Sequence, residues 1–110
     1  MDISISKEAE HLLSILYEEY KRKRDAGVSI KQAKYMNDDV WIQQHLIPKW
    51  SLDDVTEVCY ALSDNNLLNI FFADDHAYVV SLTDDGIAYA QKKVSRLLDK
   101  AQKIKNILPL

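Results

Sequence analysis

Several things are scarce in this chain, and each scarcity removes a class of protein. There is one cysteine, Cys59, so no internal disulfide can form. Two glycines and two prolines in 110 residues leave little material for long loops or disordered linkers. No apolar run approaches the roughly 18 residues that cross a bilayer, and no basic-plus-apolar leader opens the chain. A cytoplasmic protein without membrane association is expected. Glycine-rich phosphate loops, a nucleophile elbow and zinc-ligand spacings are all missing. Ser, His and Asp occur at no telling separation, so no enzyme, cofactor or metal is read from the sequence. The most informative absence is local: residues 51–90 contain no Lys or Arg, and eight acidic residues.

What is present suits one domain over residues 1–110. Hydrophobic residues make up 47% and charged residues 28%, an ordinary balance for a globular chain with a single core. The net charge of −3 conceals a segregation. Residues 1–27 carry five Lys/Arg and six Asp/Glu, residues 28–50 three and two, residues 51–90 none and eight, residues 91–110 six and one. Such asymmetry concerns partners rather than fold.

Met1 to Ile5 alternates, as a short strand or an ordered lead-in. A helix is expected from about 6 to 26, with Ser6 as its cap and Gly27 as a left-handed stop. Ala9, Leu12, Leu13, Leu16 and Tyr20 mark its buried face, with Ile15 and Tyr17 at the flanks. It ends in Lys21, Arg22, Lys23 and Arg24, cations that complement the helix dipole. Ser29 and Gln32 form a capping box for a second helix over about Ile30–Met36, with Lys31 and Lys34 facing outward. Asn37-Asp38-Asp39 breaks it, and a short helix from Val40 to Leu46 offers Trp41, Ile42 and Leu46 as apolar anchors. Ser51 and Asp54 then cap a helix over about Leu52–Asp64, stapled by Trp50 and Val55. Leu52, Val55, Cys59 and Leu62 form its buried stripe, which makes Cys59 a buried, inert thiol. Asn65-Asn66 turns the chain into two strands, Asn69–Ala73 and Ala77–Leu82, joined by Asp74-Asp75-His76.

Thr83 caps the last helix, about 84–108. Ile87, Val94, Ala101 and Leu108 lie seven apart, as do Ala90, Leu97 and Ile104, a coiled-coil-like seam. A parallel self-pair would leave Lys93 and Lys100 without acidic partners. Packing against the first helix, or an antiparallel or crossed homodimer, fits better, with Ile87, Val94, Leu97, Ala101 and Ile104 as dimer-helix candidates.

The order three helices, hairpin, helix resembles a winged-helix domain, with a long helix before and after its core: mainly α with a small β-hairpin, α+β in class. Ser51, Val55, Leu62, Leu67-Leu68 and then Leu82-Thr83-x-x-Gly86 look like the helix, wing and "LTxxG" run of MarR- and PadR-like bacterial regulators, over residues 29–90. A looser resemblance is to small winged-helix proteins of Gram-positive bacteria and their phages. The resemblance implies a non-catalytic DNA-binding regulator in which the 52–64 helix enters the major groove and the hairpin touches phosphate.

The residues depart from that chemistry. Phosphate neutralisation needs Lys or Arg, and base reading favours Arg, Lys, Asn or Gln. The outward face of the 52–64 helix instead reads Asp53, Glu57, Tyr60, Asp64, and the wing tip Asp74, Asp75, His76. Two readings stand beside a merely solvated acidic surface. One is a DNA-associated regulator that uses Lys21, Arg22, Lys23, Arg24, Lys31 and Lys34, with Lys92, Lys93 and Arg96. The other is an interaction module whose Asp53, Glu57, Tyr60, Asp64, Asp74, Asp75 and His76 dock a basic protein surface. Three adjacent turn residues seldom converge on one ion, so a plain turn is preferred to a metal site at 74–76.

Overall fold

Three serines start three of the helices. In the computed structural model, which describes residues 4–74 and 76–93, Ser6 Oγ accepts from the N–H of Ala9 (3.1 Å), Ser29 Oγ from Gln32 (3.3 Å) and Ser51 Oγ from Asp54 (3.1 Å). Each satisfies one of the donors that a helix start leaves without a partner. The helices that follow are α1 (Lys7–Asp25), α2 (Ile30–Lys34) and α4 (Leu52–Asp64). Between them, α3 (Asp39–His45) is capped by Asp38, whose carboxylate takes the N–H of Trp41 at 2.7 Å. The acidic pair expected to break a helix therefore begins one, and Asp39 is its first residue.

Gly27 follows α1 at φ 90, a backbone state that glycine enters without strain. Asn66 turns the chain after α4 at φ 61. Strands β1 (Leu68–Ala73) and β2 (His76–Leu82) pair antiparallel, Leu68 opposite Leu82 and Phe71 opposite Val79, with a bulge between Phe71 and Phe72. The connecting turn is shorter than expected, because His76 already belongs to β2. The second helix is shorter too. It stops at Lys34, and the chain from Tyr35 runs extended along the far side of β2. There the Met36 N–H donates to Val80 O (2.7 Å) and the Val80 N–H to Asn37 O (2.8 Å).

Residues 84–93 are helical and are designated α5. Thr83 Oγ accepts from the Gly86 N–H (2.9 Å) and donates to Asn66 O (2.7 Å), locking this start onto the turn after α4. Gly86 is needed for closeness: a Cβ there would lie 2.2 Å from the carbonyl oxygen of Leu67.

The core gathers α1, α3, α4, both strands and the first turns of α5. Leu12, Leu13, Leu16, Met36, Ile42, Val55, Leu62, Leu67 and Val80 are fully buried, and Ile87 and Ala90 join them. Tyr17 is buried and Tyr20 half-buried, the reverse of the order expected. No helix among the described residues is long and apolar enough to cross a membrane.

Candidate functional site

The outward face of α4 is acidic. Val55, Cys59 and Leu62 turn inward, which leaves Asp53, Asp54, Glu57, Tyr60 and Asp64 exposed. None of these carboxylates meets a cation within the described residues. Tyr60 leans on the wing, its ring stacked on Phe72 of β1 with centroids 3.9 Å apart and planes 5° apart. That stack fixes the hairpin beside the acidic row. Asp74 is exposed at the hairpin turn with φ 51, and Asp75 lies outside the described residues.

His76 is placed elsewhere than at the tip. Its Nδ1 lies 3.2 and 3.3 Å from the two oxygens of Asp39, a carboxylate only 1% exposed. Asp39 also accepts from the Thr56 hydroxyl (2.7 Å) and the Ala77 N–H (3.3 Å). One buried carboxylate thus joins α3, α4 and the first residues of β2. Burial works against its ionisation, but the Thr56, Ala77 and His76 donors prevail and hold it below the usual carboxylate range. Sequence reasoning missed this cluster, since a contact across 37 residues leaves no periodic signal. Behind it, burial and then the Asp39 charge push the Cys59 thiol up to about 12. Such a thiol is neither a nucleophile nor a ready metal ligand at neutral pH. Among the described residues no three His, Cys, Asp or Glu side chains come together as a metal site.

The cations proposed for DNA contact are largely occupied within the chain. Lys21 Nζ sits 5.7 Å from the Tyr17 ring centroid. Arg22 pairs with Glu19 and Lys34 with Asp84. Lys23 Nζ donates to Tyr35 O (2.7 Å), and burial lowers its pKa. Arg24 donates to Val28 O (2.9 Å), closing the turn after α1. Lys31 is exposed, with no such contact among the described residues. Lys93 pairs with Glu10, which also accepts from the Tyr89 hydroxyl at 3.0 Å, so α5 is fastened to α1. Lys92 is exposed. Of the dimer-helix candidates, Ile87 lies in the chain's own core. Val94, Leu97, Ala101 and Ile104 lie outside the described residues, as does Arg96.

Solved structures supply the frame for these positions. A zinc-responsive MarR family member, Lactococcus lactis ZitR, superposes with a TM-score of 0.55 at 19% identity, over 99% of this chain and 67% of that one. A point variant of the same protein superposes at 0.57 and 18% identity, over 99% and 66%. The fold is a MarR-type winged helix. In that fold β1 and β2 form the wing, and α4 is the helix that immediately precedes it. The chain spans about two thirds of those two chains' length. No protein-family model matches it, and no curated protein does. At this identity the likeness speaks for the fold, and the function has to be argued from this chain's own surface.

Proposed function

We propose that this winged helix is a non-catalytic, cytoplasmic regulator-type protein in a single domain over residues 1–110. It binds a macromolecular partner, and α4 with the wing docks a basic protein surface instead of reading duplex DNA. The supporting observation is the exposed row Asp53, Glu57, Tyr60, Asp64 on α4, within a segment of 40 residues that has no Lys or Arg. Setting that row in a major groove would oppose carboxylates to phosphates with no cation between them. Against a basic surface the same charges speed encounter and fix register, and Tyr60 supplies an aromatic anchor.

The test is fluorescence anisotropy with two labelled probes, a generic DNA duplex and a lysine-rich peptide, over a salt series. The peptide should bind at low salt and be released by Glu57→Lys with Asp64→Lys, while the duplex stays free. A peptide that ignores both reversals would sink the proposal.

A second reading is supported by the exposure of Lys21, Lys31 and Lys92: DNA held on its phosphates by α1, α2 and α5, with α4 turned away. Its signature is duplex binding whose salt slope survives Asp53→Ala and Glu57→Ala and collapses on Lys21→Ala with Lys31→Ala. Homodimerisation through the C-terminal helix is a further proposal, read by light scattering.

A further inference from the structure

The wing has one open side. β2 is bonded on both edges, by β1 on one and by Met36 and Asn37 on the other. The bonds of Val80 to those two residues take both its N–H and its C=O, so neither points at β1. Val80 faces Ile70 in the register. In an antiparallel ladder such a pair is the non-bonded kind, and the N–H and C=O of Ile70 must point away from β2. Two residues back, the backbone of Leu68 points the same way. Beyond the pairing with β2, no backbone bond to residues 68–73 occurs among the described residues.

Exposed strand edges are usually guarded by charge or proline. β1 reads Leu-Asn-Ile-Phe-Phe-Ala and has neither. Its outer face presents Phe71, 64% exposed, beside Val79 at 43%. Its inner face meets α4 through the Phe72–Tyr60 stack. Glu57 and Asp64 lie three residues before and four after Tyr60, hence on the same helix side. A chain lying along the open edge would therefore run with apolar surface on one side and carboxylates on the other.

We infer that β1 takes an extended segment of a partner protein as an added strand, in which residues facing α4 are Lys or Arg and those between them are apolar. Strand addition draws affinity from main-chain bonds and specificity from alternate side chains, and the alternation here is set by acids on one face and Phe71 with Val79 on the other. A second copy of this chain is a poor occupant, because edge-to-edge pairing would set the acidic row of one α4 beside the acidic row of the other. This inference rests on the acidic-face reading above and adds to it the backbone edge.

The experiment uses labelled peptides of about eight residues, the span of a typical strand, alternating lysine and valine. Anisotropy is read on the full chain. One form is N-methylated on every lysine and another on every valine; in a strand these two sets of amides point to opposite edges. Strand addition predicts that one methylated form loses about tenfold or more in affinity while the other binds like the parent. It also predicts loss of binding in the Glu57→Lys, Asp64→Lys variant, whose thermal melt should be unchanged. If the parent peptide fails to bind, or both methylated forms bind as the parent does, the strand-addition inference is overturned. In the second of these cases, continued release by the charge reversals would leave acidic-face docking standing. If one methylated form alone is lost but the reversals have no effect, the requirement for a basic segment is overturned.

Discussion

Replacing Asp39 by alanine removes the carboxylate that joins α3, α4 and the wing. The Thr56 hydroxyl and the Ala77 N–H lose their acceptor at a site 1% exposed, and His76 loses its partner. Each buried donor left without a partner costs about 1–3 kcal/mol. Two donors are stranded here and water entering the alanine void would recover part of the loss, so about 3 kcal/mol is expected at neutral pH. In a domain of this size that lowers Tm by more than about 10 °C.

The loss should also depend on pH. The folded-state carboxyl is held below its ordinary value of 3.8, since its hydrogen bonds outweigh the effect of burial. A depressed carboxyl contributes stability that is complete above its unfolded value and drains as the pH falls through the folded one. The natural chain should therefore lose this increment below pH 3.8, and Asp39→Ala should have none to lose. Urea unfolding followed by the fluorescence of Trp41 and Trp50, from neutral pH into the acid range, measures both. A difference under about 1 kcal/mol at neutral pH, or parallel acid slopes for the two proteins, would refute the buried-latch account.

The two glycines should respond differently to alanine. Gly86→Ala sets a Cβ against the Leu67 carbonyl with no flexible group to yield, so about 2–3 kcal/mol is expected in the same urea assay. Gly27→Ala meets open space and pays only for positive φ, about 1 kcal/mol. Cys59 should stay unlabelled by a thiol reagent in the native protein and react at the rate of global unfolding, since it is buried and its thiol is held up to about 12. Fast labelling under native conditions would contradict that placement. Glu57→Lys with Asp64→Lys should shift stability by no more than about 0.5 kcal/mol, as both residues are exposed; a larger loss in a thermal melt would mean the acidic row is structural.

Local chemistry was legible in the sequence. Ser6, Ser29 and Ser51 announce helix starts, Gly27 and Asn66 announce left-handed turns, and the Val55-Cys59-Leu62 stripe fixes which face of α4 turns outward. The acidic row followed directly. Less legible was whatever depends on distant pairing. Tyr35 to Asn37 reads as the end of a helix, yet it runs extended beside β2 because Val80 offers it hydrogen bonds. Asp39 reads as a breaker and His76 as a loop residue until the fold brings them within 3.2 Å. The basic run after Tyr20 looks like a free surface, but Lys23 reaches a carbonyl twelve residues on. Tyr17 and Tyr20 both border the apolar stripe of α1, and only the neighbouring elements decide which is covered.

On the function proposed above, α4 does not enter a DNA groove. Backbone amide NMR of the labelled full chain, titrated with a generic duplex at low salt, addresses it residue by residue. The resonances of Asp53, Glu57, Tyr60 and Asp64 should stay unmoved with duplex and shift with a lysine-rich peptide. Duplex-induced shifts concentrated on Glu57, Tyr60 and Asp64 would contradict it.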